Sequence, residues 1–229
     1  KMVWRKLQFN PGLYKNLPYD PVKDLTPISM CGLSSYILVT EPSFPANTAA
    51  EFIKLLKANP DKYSFSSSGT GATAHLVAEA FNAAVGIKAI HVPYKGSSPA
   101  LTDVMAGRVS YCIETAAATM PFVRNGRLKA LGVSLEKGTP VAPGIPPLAT
   151  AANIPGFNLG AWIGLVAPGK LPPEIVEVLS KAVKDVMQGP NVEEVFSRIS
   201  VDIDFRSQAE TIKYLENIRT QFTDVIKKN

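Results

Sequence analysis

Histidine and cysteine are scarce in this chain: 229 residues contain two of each, His75 and His91, Cys31 and Cys112, dispersed along the sequence. Such spacing lacks the closely set ligand pairs of a metal or dithiol site, and no metal or cofactor is expected. Cys31 and Cys112 stand alone in apolar, strand-like runs, as small buried side chains do. No apolar stretch approaches the ~20 residues of a membrane-spanning helix. Basic residues never run beyond pairs such as Lys227-Lys228, and the aromatics do not alternate with them, so the net charge of +5 does not describe a nucleic-acid surface. The opening KMVWRKLQFNPGLY carries no signal-peptide pattern, and export cannot be read from it. No internal repeat stands out.

The chain does hold a regular alternation of strand and helix signals. After an irregular NPGLYKNLPYDPVKD, two short strands are expected at 26–30 (TPISM) and 36–40 (YILVT). Thr48-Ala49-Ala50-Glu51 has capping-box spacing and predicts a helix over about 48–59. YSFSS reads as a strand, 72–85 as a helix, KAIHV (88–92) as a strand, and Ser98-Pro99 as the opening of another helix with proline at its first position. VSYCI (109–113), a short helix around 117–125 and LKALGV (128–133) continue the series. This succession argues for a mostly parallel sheet with helices on its faces. A proline-rich passage and AWIGLVAP (161–168) precede two amphipathic helices, one over 173–187 and one opened by the capping box Ser207–Glu210. Two lobes follow from this pattern: 42–133 as one unit, and 1–41 with the return segment 134–229 as the other.

The stretch SFSSSGTGATAHLVAE (64–79) asks for a ligand. Gly69-Thr70-Gly71-Ala72-Thr73-Ala74 fits a dinucleotide-binding turn, but the acidic residue expected about twenty positions on is absent. The serines lack the G-x-S-x-G elbow of a hydrolase, and His75 and His91 are the only candidate imidazole bases. A third reading is an anion nest: a helix starting near Ala72 leaves its first amides unpaired, the glycines keep the approach open, and Ser67, Ser68, Thr70 and Thr73 offer hydroxyls. Simple helix capping by one of those hydroxyls is the structural alternative. Tyr94 and Lys95 follow KAIHV directly, where α/β folds place their ligands. Trp162 suits a pocket wall or core packing.

Five stretches together resemble one family, the periplasmic solute-binding proteins of tripartite tricarboxylate transporters, known as the Bug family. They are NPGLYKNLPYDPVKDLTPIS (10–29), SSSGTGATAHLVAE (66–79), HVPYKGSSPALTDVMAGRV (91–109), NGRLKALGVS (125–134) and WIGLVAP (162–168). HVPYKGSSPALTD is the most specific, and the likeness covers nearly the whole chain. The resemblance implies an α/β, two-lobed, Venus-flytrap protein, exported to the periplasm, without catalytic activity or cofactor. It would hand a small carboxylated solute to a membrane permease. It implies one carboxylate-binding loop at Ser67, Ser68, Gly69, Thr70, Gly71, Ala72, Thr73 and His75, and a second at Glu114-Thr115-Ala116, with Tyr94 and Trp162 beside them.

The family usually begins with a strand and a glycine-rich, Asp-containing loop, and this chain starts after that point. The first strands and loop of lobe 1 are therefore expected to be missing, and an incomplete lobe invites homodimers or domain exchange. Ala72 stands where a hydroxyl residue is common, and Glu114-Thr115 where Asp-Asn is frequent. The alternatives left open are a nucleotide-dependent enzyme using the 69–74 turn and a truncated member that has lost its ligand.

Overall fold

The computed structural model describes Asp20 and residues 23–228, with side chains as far as Thr220. The irregular segment expected before Asp20, and Phe222 and Val225 of the last helix's apolar stripe, lie outside the residues or side chains described. Two compact units are present: Ser35–Gly160, and the described residues as far as Ser34 together with those from Ala161 on. The alternation of strand and helix had drawn the corresponding limits at 42 and 133.

The two strands expected at 26–30 and 36–40 are one continuous strand, β1 (Leu25–Thr40), of 16 residues. Gly32, Ser34 and Ser35 look like a break in the sequence, yet each has a physical place in the strand. A Cβ on Gly32 would lie 2.6 Å from the Phe196 ring and 2.9 Å from the Asp202 carbonyl, so only glycine allows that approach. Ser34 donates to the Ser200 carbonyl (3.5 Å) and Ser35 to the Tyr36 carbonyl (3.1 Å), which lets both hydroxyls be buried.

Unit Ser35–Gly160 contains α1 (Ala49–Ala58), β2 (Ser64–Ser67), α2 (Thr73–Val85), β3 (Ile90–Pro93), α3 (Ser97–Met105), β4 (Tyr111–Thr115), α4 (Ala116–Arg124), β5 (Lys129–Val133) and α5 (Leu148–Ala151). The sheet order is β3-β2-β4-β1-β5. β2 is parallel to β3 and β4, and β1 is antiparallel to both β4 and β5. Thus β2 to β5 run one way, as the alternation predicts. What it does not predict is that β1 enters between β4 and β5 in the opposite direction. The core beneath includes Ile37, Val39, Leu101, Val104, Val133 and the fully enclosed rings of Phe52, Phe65, Phe81 and Tyr111. Thr48 caps α1 by accepting from the Glu51 amide (3.1 Å), and Glu51 returns to accept from Asn47 N–H (2.7 Å).

The other unit contains β6 (Gly160–Pro168, all but its first residue), α6 (Pro173–Met187), α7 (Val192–Arg198), β7 (Asp202–Arg206) and α8 (Gln208–Lys228). β6 and β7 both pair with β1, β7 in antiparallel register from Met30↔Arg206 to Leu33↔Asp202. Met30, Trp162, Val166 and Leu215 form its core. The Ser207–Glu210 capping box closes as predicted: Ser207 N–H donates to Glu210 Oε2 (2.9 Å) and Glu210 N–H to Ser207 Oγ (3.5 Å). Among the described residues no helix is long and apolar enough to cross a membrane.

Candidate anion-binding edge

Because β2, β3 and β4 are parallel neighbours, their carboxyl ends lie along one edge of the sheet, and α2, α3 and α4 all begin there. Helix starts leave their first amides without intrahelical acceptors and carry partial positive charge. None of these three helices has a side-chain hydrogen bond at its N-cap, and none has an acidic residue in its first turn. Partial positive charge from three helix starts is therefore gathered at this edge, where β4 also places the Glu114 carboxyl group.

The loop from Ser67 to Thr73 forms the approach to α2. Gly69 (φ +132°) and Gly71 (φ +72°) both hold backbone angles that L side chains rarely adopt. A Cβ on Gly69 would also stand 3.3 Å from the Tyr94 carbonyl oxygen. Two amides of the turn are engaged within the protein: Ala72 N–H donates to the Gly69 carbonyl (3.0 Å), and Gly71 N–H to His75 Nδ1 (3.3 Å). His75 thus braces the turn with Nδ1, which places its ring proton on Nε2, 3.5 Å from Glu79 Oε1. The amides of Thr73, Ala74 and His75 have no backbone acceptor among the described residues. The open donors sit in the first turn of α2, displaced from the glycines into the helix.

Ser67 ends β2 and is buried, at 2% exposure. Its Oγ accepts from Gly69 N–H (3.2 Å) and lies 2.7 Å from His91 Nε2. Folding thus makes a serine–imidazole pair that the sequence separation hides. It does not have the properties of a nucleophile and its base. The serine is enclosed, and burial, followed by the neighbouring His75, lowers the His91 pKa to about 4, with Glu79 offsetting part of the effect. Such an imidazole takes a proton poorly at neutral pH. The pair instead fixes the loop: His91 is stacked on His75 (ring centroids 3.9 Å) and on Phe65 (4.8 Å).

Tyr94 continues β3, its amide donating to the Ser67 carbonyl (3.0 Å). Its hydroxyl donates to Asp103 Oδ2, and Arg108 holds the other oxygen of that carboxylate through Nε (2.9 Å) and Nη2 (2.6 Å). Partial burial and then the Asp103 carboxylate push the Tyr94 pKa up to about 12. Lys95 is exposed.

Glu114, near the end of β4, is 4% exposed. Its Oε2 accepts from the Ser97 hydroxyl (2.8 Å) and its Oε1 from Thr115 N–H (2.8 Å). The β2–β4 pairing runs through Phe65↔Tyr111 and Ser66↔Cys112, two residues before Ser68 and Glu114. The structure thus brings Ser67, Ser68, Gly69, Thr70, Gly71, Ala72, Thr73, His75, Tyr94, Glu114 and Thr115 into one unit. Trp162 belongs to the other unit, in its core at 3% exposure, with no acceptor for its indole N–H among the described residues. The residues that the sequence did not single out are Ser97, Asp103 and the Ser67–His91 pair. Ser97 had a signal: it opens α3 one residue before the Ser98-Pro99 start that proline suggests. Among the described residues no group of His, Cys, Asp and Glu side chains could hold a metal ion.

The whole sequence, residues 1–229, matches the family described as "Tripartite tricarboxylate transporter family receptor". Protein BugT of Bordetella pertussis is 31% identical over 186 residues, which cover 81% of this chain and 57% of that protein. The chain therefore spans little more than half the length of this curated relative. The R. palustris protein solved with adipate is 28% identical, superimposes with a TM-score of 0.83, and is matched over 93% of this chain and 71% of that one. Rhodopseudomonas palustris MatC, solved with bound malate, is 25% identical with a TM-score of 0.79, over 95% of this chain and 74% of that one.

Proposed function

Since the chain belongs to the tripartite tricarboxylate transporter receptor family, we propose that it reversibly binds a small carboxylated organic acid in the periplasm and delivers it to the membrane permease of such a transporter. One observation carries this reading: three helices start at a single sheet edge without side-chain caps or first-turn acids, and the first-turn amides of α2 are open. A carboxylate accepts several such N–H bonds at once, and preorganised donors hold it without the cost of rearrangement. The adipate and malate held by two structural neighbours are of the same chemical class.

In this reading Ser68, Thr70 and Thr73 add hydroxyl donors beside the α2 amides. Gly69 and Gly71 keep the approach open, and Ser67, His75 and His91 hold the loop in shape. Tyr94, tied to Asp103, fixes the course of the chain into α3. No bond is made or broken. We further propose self-association, as a homodimer or by domain exchange, through the unit that contains α6, whose apolar side is exposed.

Thermal unfolding in the presence of mono-, di- and tricarboxylates tests the receptor reading. A ligand at about 100 times its dissociation constant adds about 2.7 kcal/mol of stability when it binds only the folded state. At least one acid of the panel should raise the melting temperature, and calorimetry should return a saturable heat for it. A folded protein that responds to none of them at millimolar concentration overturns the proposal.

A further inference from the structure

Two helices of unit Ser35–Gly160 open with the same device. In α1 the third residue, Glu51, accepts from the amide of Asn47, four residues back and one before the cap Thr48 (2.7 Å). In α2 the third residue, His75, accepts through Nδ1 from the amide of Gly71, four residues back and one before the cap Ala72 (3.3 Å). Thr48 adds a side-chain bond of its own, and Ala72 has no group with which to do so. The two acceptors also differ in chemistry. A carboxyl group keeps acceptor capacity in either protonation state, whereas a neutral imidazole has one acceptor nitrogen and loses it on taking up a proton.

We propose that His75 is a proton-operated latch on the turn Ser67–Thr73, a device that goes beyond the carboxylate reading and does not depend on it. With His75 neutral, Gly71 N–H is held and the turn is fixed to the helix. A proton on Nδ1 meets that N–H as a second donor, so the bond is lost and Gly71 is released. The new charge has a partner in place: Nε2 lies 3.5 Å from Glu79 Oε1, and protonation turns that contact into an ion pair. Acid therefore exchanges a bond that fixes the turn for one that runs along α2. The groups facing His75 are Glu79 from α2, the His91 ring from β3 (centroids 3.9 Å) and the Phe65 ring from β2 (6.2 Å). Tyr111 of β4 is stacked behind Phe65 (5.7 Å). Burial, then the neighbouring His75, lowers the His91 pKa to about 4, so His91 stays neutral above that pH and does not release its own end of the turn. The His75 and Glu79 side chains are 17% and 27% exposed, so a proton reaches them from solvent without unfolding.

Nitrogen-15 NMR of the whole chain, without any ligand, tests the latch from about pH 8 to about pH 5.5, the range in which imidazole is the side chain that changes charge. The Gly71 amide proton should move upfield as its bond is lost, and its midpoint should coincide with that of the His75 ring nitrogens. His75→Gln keeps an acceptor at the third helical position but takes up no proton, so its Gly71 amide should hold one shift across the range. His75→Ala should show the released shift at every pH. A Gly71 amide that ignores the titration of the His75 ring overturns the proposal in the wild type alone. So does a His75 ring that keeps one charge throughout, or a Gly71 amide that still titrates in His75→Gln.

Discussion

At Ser67 and His91 the sequence shows only a strand-ending serine and an imidazole 24 positions away, and the structure sets them 2.7 Å apart. The groups facing His91 are Ser67 and Phe65 from β2, and His75 with Glu79 from α2. Burial is the main cause of its pKa falling from 6.5 to about 4. In that window the unfolded chain takes up a proton that the folded chain refuses, so stability falls as pH drops from 6.5 toward about 4 and this contribution levels off below. Melting temperatures measured from neutral to acidic pH should therefore fall more steeply for the wild type than for His91→Gln. Parallel curves would remove His91 from the acid response. The sequence offered both histidines as candidate imidazole bases and His75 as part of the ligand loop; in the fold His91 lies against Ser67, His75 accepts from Gly71 N–H, and the two rings stack.

The strand–turn–helix from Ser64 to Val85 was legible because its signals are local. Hydroxyl and aromatic residues extend into two glycines, and an apolar period of helical spacing follows. Its ligand geometry was less so, since His75 reaching back to Gly71 is a contact of the folded turn. Gly71→Val should weaken binding of any carboxylate at this edge by about tenfold or more, because a β-branched residue disfavours a φ of +72° and crowds the neighbouring amides. Ser66→Ala should change affinity by less than about threefold: its hydroxyl is buried in β2, where it meets the Ala100 carbonyl at a long 3.4 Å and the Cys112 thiol. Calorimetric affinities of the two variants decide the matter, and equal losses would place recognition away from this turn. β7 was missed, as was the continuity of β1. Both depend on pairing with residues more than 150 positions away, such as Met30 with Arg206, and not on local pattern.

For the whole molecule the striped sequence of α6 is the informative case. Its apolar face is clear in the pattern, yet no residue of the helix is buried in the structure: Ile175, Val178 and Val186 are 44%, 64% and 68% exposed. Beside it a groove of about 390 Å³ is lined by Cys31, Ile163, Leu165, Leu179, Val183 and Phe196. Apolar surface of this kind associates. Sedimentation at low micromolar concentration should show self-association of the chain, and Val183→Glu should suppress it; a monomer at every concentration would refute the proposal. By itself the sequence determined the succession of elements from α1 to β5, the two capping boxes, the glycine turn and the family, because each rests on residues close together in the chain. Only the tertiary structure decided that β1 runs on unbroken through Gly32 and enters between β4 and β5. It alone brought Ser97 to Glu114 and Ser67 to His91, because strand order and burial come from contacts between distant segments whose partners no local pattern names.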